Sequence, residues 1–315
     1  RGLGDVYKRQ PMIWTWINIA VCGLILSMGV QKGIEKASNI MMPMLFVILI
    51  VLCISAMTLP KASEGLAYFF NPDFSKITPK VWISALGQAF FSLSLGMGTM
   101  ITYASYFKKD TNLVQTSFTV SVIGIFVAIL VGMIIFPGVM SFGLEGESFK
   151  GSTLVFVTFP EIFNRMWCPQ LWSILFFTLL AVAAITSSIS ISEVSIAYFC
   201  DHYGMKRKVA TVVVMLPLVA LGALSSLSNG VLSHLTLFGF TIFSGCDALT
   251  ADVIMPLGAL IMSVYLGWFA PKNLIREQLT NGGKLKDYFV APVTFLLKWV
   301  TPIVIVIILV TSLFT

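Results

Sequence analysis

The residues best suited to binding chemistry lie inside long apolar stretches of the sequence. Two serines and two glycines, Ser92, Ser94, Gly96 and Gly98, fall together in the middle of the apolar segment 82–106. Glycine costs about 1 kcal/mol per residue in a helix, and serine competes for backbone hydrogen bonds. The cluster therefore predicts a helix that breaks near Ser94, with freed carbonyl oxygens that can bind a cation. Close helix packing through small residues explains the same pattern.

A second polar cluster lies in the apolar segment 170–198, which carries four hydroxyl side chains between residues 186 and 190. If this segment is a helix, residues three and four positions apart lie on one face, and that face carries small, hydroxyl and apolar side chains. Its members are Ala183, Thr186, Ser187, Ser190 and Ile191. Hydroxyl and carbonyl oxygens are hard donors, so the face suits an alkali cation and not a soft metal. Hydroxyl contacts between packed helices are the alternative, at about 0.6 kcal/mol each.

Four acidic residues lie in or beside apolar segments. Glu193 is within 170–198, where an ionisable residue indicates either a functional site or a buried structural hydrogen bond. Asp201, Asp247 and Asp252 lie near segment ends, and each is a plain interfacial charge or half of a gate. No intramembrane arginine partner is evident. A gate would therefore need a partner from a segment that this sequence lacks.

The composition is that of an all-α integral membrane protein. Of the 315 residues 57% are hydrophobic and only 11% are charged, whereas soluble domains carry about 25% charged residues. This excludes a soluble enzyme, a disordered chain and a coiled-coil fibre. About eight apolar segments are long enough to span a bilayer as helices. They are 12–30, 40–58, 82–106, 116–137, 170–198, 209–229, 247–269 and 290–313.

The loop charges predict the orientation of these helices. Eleven Lys and Arg residues fall in one alternating set of loops and five in the other, so the first set is cytoplasmic. The long loops at 61–81 and 138–169 are then extracellular, and FVTFPEIFNRM in the second predicts a short surface helix. The chain contains no Asn-x-Ser/Thr acceptor, which favours a bacterial source. We therefore expect a multi-pass protein of the bacterial inner membrane, with the lipid bilayer as its partner and no nucleic acid.

Residues 1–10, RGLGDVYKRQ, have a different character from the rest of the chain. They are polar and resemble the translated end of a sequencing adapter. We expect them to be an artefact and the native sequence to start near Pro11, within a longer gene. The five cysteines and two histidines are scattered, which argues against a disulfide framework and a transition-metal site.

Four strings of residues together resemble the neurotransmitter:sodium symporter family, in its bacterial, LeuT-like branch. They are KGIEKASNIMMP at 32–43, GQAFFSLSLGMGTMITYASY at 87–106, LVFVTFPEIF at 154–163 and ITSSISISE at 185–193. Their order and spacing also match. The resemblance covers nearly everything after residue 10, and it corresponds to the family's helices four to eleven. It therefore implies an N-terminally truncated chain.

The resemblance implies a partial LeuT-like fold of two inverted repeats, with sites where helices break at mid-membrane. Residues 11–60 would be the last two helices of the first repeat. Residues 82–269 would be the second repeat, with the broken helix at 92–98. Residues 270–315 would be a cytoplasmic loop and a final transmembrane helix.

The resemblance also implies residue roles. Phe91 would be an aromatic lid over the substrate, and Ser92 would reach both the substrate and a first sodium ion. The remaining substrate-binding residues would be Ser94, Met97, Ser187 and Ile191. The carbonyl of Ala183, with Thr186 and Ser187, would hold a second sodium ion. Asp247 would be the acidic half of an external gate and Asp201 that of an internal gate.

One departure from the family pattern concerns the first sodium ion. The family's seventh helix usually offers an asparagine there, and an acid or hydroxyl one turn on. These positions fall at Ile123 and Val127, and no polar side chain occurs from Val122 to Met133. The departure argues against a complete first sodium site and against chloride dependence.

The resemblance implies a sodium-coupled symporter of an amino acid or related small zwitterion, with sodium as coupling ion and no cofactor. The apolar lining indicates an apolar or aromatic amino acid. A passive channel is the alternative, but it needs a continuous polar lining, and here the polarity is concentrated at mid-depth. An intramembrane enzyme would need a nucleophile with a base or a metal site, and neither is evident. The fragment alone would be inactive if half of each binding site is missing.

Overall fold

The computed structural model describes residues 2–143, 154–228, 232, 234, 236–237, 239–271 and 273–314, and most of them are helical. Within these residues seven helices are long and apolar enough to cross a membrane. They are Gln10–Ser27, Val30–Met57, Leu113–Phe142, Pro169–Tyr203, Arg207–Ser228, Ile242–Phe269 and Val290–Thr311. The prediction of an all-α integral membrane protein is confirmed.

The described elements follow one another along the chain in this order. The first α-helices are α1 (Gly2–Ser27), α2 (Lys36–Met57), α3 (Ala62–Phe70), α4 (Pro79–Ser92), α5 (Thr99–Ser105), α6 (Leu113–Phe142) and α7 (Phe159–Asn164). The others are α8 (Pro169–Tyr203), α9 (Arg207–Ser228), α10 (Ile242–Ala248), α11 (Met255–Val264), α12 (Leu274–Leu279), α13 (Val290–Phe295) and α14 (Thr301–Phe314). Wider π-helical turns occupy Val30–Glu35, Leu154–Thr158, Leu249–Ile254, Tyr265–Phe269 and Leu296–Val300. A 3-10 turn covers Phe74–Lys76, and β1 (Thr236–Leu237) pairs antiparallel with β2 (Phe240–Thr241), with Thr236 opposite Thr241.

The predicted span 82–106 is broken, as its serines and glycines predict, so it is not among the seven membrane-length helices. The segment 82–106 is not a single membrane-length helix but the pair α4 and α5, of 14 and 7 residues. Neither is long enough to span about 30 Å of hydrocarbon alone. The glycines and serines between the two helices explain the division, because they favour non-helical backbone.

Polar residues at the loop ends start several of these helices. Thr78 accepts a hydrogen bond from the Val81 amide at 3.4 Å, and Pro79 is the first residue of α4. Asn112 accepts one from the Gln115 amide at 3.1 Å at the start of α6. Thr241 accepts one from the Ser244 amide at 3.3 Å at the start of α10. Each side chain satisfies a backbone donor that has no partner within its helix.

The chain divides into two compact units. The first unit comprises Arg1–Gly33, Thr78–Ser121 and Ser188–Thr315, and the second comprises Ile34–Ile77 and Val122–Ser187. Helix α8 contributes its N-terminal part to the second unit and its C-terminal part to the first.

The second unit has an aromatic core. Phe159 of α7 stacks on Phe176 of α8 with ring centroids 4.4 Å apart, and Phe163 meets Phe176 edge-on at 5.2 Å. Leu49 and Leu52 of α2 are almost fully buried in the same cluster. The short helix α7 therefore lies where the sequence predicts one, and its apolar face packs into this core.

The first unit is held by pairs of neighbouring helices. Trp16 of α1 donates its indole N–H to the Val219 carbonyl of α9 at 3.3 Å. Ser263 of α11 donates to the Leu297 carbonyl at 2.9 Å, and Trp268 donates to the Lys298 carbonyl at 3.1 Å. These bonds bring the helix Ile242–Phe269 against the helix that begins at Val290.

Candidate functional site

The backbone between α4 and α5 departs from helical geometry. Helix α4 ends at Ser92, and the chain resumes a helix at Thr99. Between them Ser94, Gly96 and Gly98 have positive φ angles of 52°, 81° and 78°. Only glycine adopts this region without a penalty, which is about 1–2 kcal/mol for other residues. Two glycines among three such positions therefore make the break possible.

The predicted binding residues of this segment lie at the break. Phe91 is in the last turn of α4 and is 58% exposed. Ser92 ends the helix, and its hydroxyl accepts a hydrogen bond from the Gln88 amide group at 3.3 Å. Ser94 and Met97 lie in the turn itself, both half-buried. The turn thus presents backbone groups and two hydroxyls together.

Helix α8 packs against the break and α5 within the first unit. The Tyr103 hydroxyl of α5 donates to the Ser190 hydroxyl at 2.8 Å. A methyl group at Gly98 would lie 3.1 Å from the Val194 side chain. Ile191 is one helical turn from Val194 on the same face, and its side chain is 53% exposed. The structure therefore brings Ile191 to the stretch of α8 that faces the break.

Two of the three predicted second sodium ligands lie close together in the second unit. The Thr186 hydroxyl donates to the Ala183 carbonyl at 2.9 Å, so two of the predicted ligand oxygens are already neighbours. A hydroxyl also has two lone pairs and can rotate to offer one to a cation. Ser187 is the next residue and is exposed. Ala183, Thr186 and Ser187 thus offer three hard oxygen ligands within five consecutive positions of α8.

A buried ion pair joins four elements of the first unit. The Glu193 side chain is fully buried. Its Oε1 accepts hydrogen bonds from the Tyr106 hydroxyl at 2.6 Å and from Arg207 Nη1 at 3.0 Å. Its Oε2 accepts one from Arg207 Nη2 at 2.5 Å. Arg207 Nε donates to the Leu26 carbonyl near the end of α1 at 2.8 Å.

This network gives Glu193 an arginine partner that the sequence does not indicate. The sequence places Arg207 in a charged loop between two apolar segments. In the structure it is the first residue of α9, and its side chain contacts Glu193 of α8. Sequence spacing conceals the pair because Glu193 and Arg207 are 14 residues apart across a helix end. The signal that could have found it is Glu193 itself, because a buried carboxylate needs a paired cation.

The predicted gate acids have no such partner among the residues that the structure describes. Asp247 of α10 and Asp201 of α8 are both exposed. Neither carboxylate lies within 4 Å of a basic group in the described part of the chain. Asp252 is half-buried on the π-helical turn Leu249–Ile254. The gate roles of Asp247 and Asp201 therefore stay predictions.

A cavity of about 580 Å³ lies beside the break in the first unit. Its walls come from α4, from the segment around Leu249–Ile254 and α11, and from α14. Apolar side chains dominate, and polar groups occur at intervals. The apolar lining residues include Phe91, Leu95 and Met255. The polar lining residues include Lys80, Gln88 and Asp252. Such a mixed lining is typical of sites for small organic molecules.

Comparison with known proteins identifies relatives over nearly the whole chain. The model of the sodium:neurotransmitter symporter family matches residues 6–315. An uncharacterized sodium-dependent transporter of Haemophilus influenzae is 35% identical over 97% of this chain and 66% of its own length. The uncharacterized sodium-dependent transporter YhdH of Bacillus subtilis is 35% identical over 95% of this chain and 66% of its own length. The chain thus spans 66% of the length of these two curated relatives.

A solved structure agrees with these matches. The crystal structure of MhsT in complex with L-phenylalanine is 37% identical, with a TM-score of 0.83 over 96% of this chain and 68% of that chain. The prediction of a LeuT-like fold is thereby confirmed, as is that of a multi-pass membrane protein. Because the family model covers almost every residue, this chain belongs to the sodium:neurotransmitter symporter family.

Proposed function

We propose that the protein couples inward sodium movement to the uptake of an amino acid with an apolar or aromatic side chain. The observation that carries this proposal is the break between α4 and α5, with positive φ angles at Ser94, Gly96 and Gly98. Irregular backbone at membrane depth is tolerated only where protein covers it or a cavity borders it. Transporters use such breaks to bind ions and zwitterions. We propose no catalytic step for this chain.

The substrate would bind at the break, under Phe91. Backbone groups of the turn and the hydroxyls of Ser92 and Ser94 would bind its polar end. Met97 and Ile191 would line the side-chain pocket, and the substrate-binding role of Ser187 stays a prediction. The bound L-phenylalanine of the similar MhsT structure supports an aromatic amino acid as the first candidate.

Sodium would be the coupling ion, bound by the Ala183 carbonyl and the hydroxyls of Thr186 and Ser187. The 2.9 Å separation of the Thr186 hydroxyl and the Ala183 carbonyl supports this ligand pair. Ser92 is the remaining candidate ligand for a first sodium ion, because Ile123 and Val127 offer no oxygen from their side chains. We propose coupling mainly through the second site, without chloride. One charge that enters down 100 mV yields about 2.3 kcal/mol for uptake.

The cavity beside Phe91 would be part of the external access route. Its polar groups Lys80 and Asp252 lie on segments that the charge rule places toward the outside. Asp247 would act in external closure. The buried Glu193–Arg207 pair would close the cytoplasmic side, where Asp201 would take the acidic role of the internal gate.

Uptake by the full-length protein in proteoliposomes tests the proposal. Radiolabelled L-phenylalanine is offered with an inward sodium gradient, with equal sodium on both sides, and with potassium in place of sodium. We expect accumulation only with the inward sodium gradient. Equal, gradient-independent flux through well-folded protein would contradict sodium coupling and favour a passive pathway.

Asp247→Asn tests the external gate. Removing this charge is expected to lower uptake and raise KM, because the proposed gate would lose its acidic half, while the fold stays intact. The matched control is Asp110→Asn, at an exposed acid of the loop between α5 and α6. Uptake rate and affinity like those of the control would end the gate assignment of Asp247.

A further inference from the structure

The turn Leu93–Gly98 between α4 and α5 touches α11 through two glycines. A methyl group built at Gly96 would overlap the carbonyl oxygen of Met255, and it would lie 3.2 Å from the Ala259 side chain. A methyl group built at Gly258 would lie 2.6 Å from the Gly96 carbonyl oxygen. The contact is therefore reciprocal: each backbone occupies the space that a side chain on the other would need.

The surface of α11 is shaped for this contact. Met255, Gly258 and Ala259 are spaced three and four residues apart, so they share one face of the helix. Met255 and Ala259 are 7% and 8% exposed. The absence of a side chain at Gly258 leaves a depression between them, and the Gly96 peptide group fills it. Interiors packed this closely transmit displacement instead of absorbing it.

Helix α11 also belongs to the membrane-length helix Ile242–Phe269, which carries Asp247 and Asp252. Eleven residues separate Asp247 from Gly258, which corresponds to about 16 Å along the axis. The π-helical turn Leu249–Ile254 lies between them, and such turns frequently occur at functional sites. The outer end of this helix is thus connected to the turn by continuous helical backbone.

We propose that Gly258 is a positioning residue that fixes the Leu93–Gly98 turn against α11. It sets the location of the Gly96 carbonyl, and through it the backbone that binds the substrate. Displacement of the helix Ile242–Phe269 is then passed directly to the substrate site. The effect of Gly258 on substrate binding, its functional half, rests on the proposed transport activity. The effect of Gly258 on the position of the turn, its structural half, does not.

Gly258→Ala in the full-length protein is the test, with Gly245→Ala as the matched control. Both glycines lie on the helix Ile242–Phe269, but a methyl group at Gly245 meets only Phe240 at an ordinary 3.6 Å. Hydrogen exchange of the backbone amides of residues 93–98 is measured in nanodiscs. We expect exchange about tenfold faster in Gly258→Ala than in wild type and unchanged exchange in Gly245→Ala. Unchanged exchange in Gly258→Ala overturns the proposal, whatever transport shows.

Transport kinetics of the same variants test the functional half. We expect Gly258→Ala to raise the KM for L-phenylalanine about tenfold and to lower the unfolding temperature, because the added methyl group overpacks the contact with the Gly96 backbone. An unchanged KM alongside faster exchange overturns the substrate-positioning role. Absence of sodium-dependent uptake by wild type overturns the proposed function instead, and the exchange result still decides whether Gly258 positions the turn.

Discussion

Replacing Arg207 with methionine is expected to destabilise the protein by about 3–5 kcal/mol, because it strands a buried carboxylate without its cation. Glu193 is fully buried, and Arg207 supplies two of its three described hydrogen bonds. The variant also removes the bond from Arg207 to the Leu26 carbonyl of α1. The measurement is thermal unfolding of the purified protein in detergent.

The size of this effect depends on burial, and the chain contains a control. Arg276 and Asp287 form an ion pair at 3.4 Å with side chains 65% and 61% exposed. Exposed pairs contribute about 0–1 kcal/mol, so Arg276→Met should change the unfolding transition little. If Arg207→Met is no more destabilising than Arg276→Met, the loss of Arg207 does not leave a costly unpaired charge at Glu193.

A double variant separates the pair from the cost of an unpaired charge. Glu193→Leu combined with Arg207→Met removes both charges, and buried pairs replaced by apolar residues are often neutral or more stable. We expect the double variant to recover much of the stability that Arg207→Met loses.

Tyr106→Phe deletes only the hydroxyl that donates to Glu193 at 2.6 Å. Its expected cost is about 1.5–3 kcal/mol, since the acceptor is charged.

The sequence predicts local features of this fold better than contacts between segments. The break at Ser94–Gly98 is one of the two structures that the residue types predict, since glycine and serine disfavour helix but also allow close helix packing. Apolar length predicts the spans in the same way, apart from 82–106, where the break shortens the helices. By contrast, the Glu193–Arg207 pair depends on how α9 returns beside α8, and no local pattern encodes that. Gly258 is equally hidden, because its significance arises from the Gly96 peptide opposite it.

Thr186→Ala is expected to raise the sodium concentration for half-maximal uptake between tenfold and a hundredfold. This range corresponds to losing one oxygen contact to a charge, about 1.5–3 kcal/mol. Thr186→Ser keeps the hydroxyl and should stay close to wild type. The measurement is initial uptake by the full-length protein against sodium concentration, at saturating L-phenylalanine.

The control must separate a sodium ligand from a hydroxyl that merely bonds its own helix. Thr119 of α6 provides it, because its exposed hydroxyl donates to the Gln115 carbonyl at 2.9 Å, within the helix as Thr186 does to Ala183. Thr119→Ala removes the same kind of hydrogen bond and should leave sodium dependence unchanged. If Thr186→Ala and Ser187→Ala both keep the wild-type sodium curve, neither residue is a ligand. Coupling would then have to be sought at Ser92, although Ile123 and Val127 leave that site poor in oxygen donors.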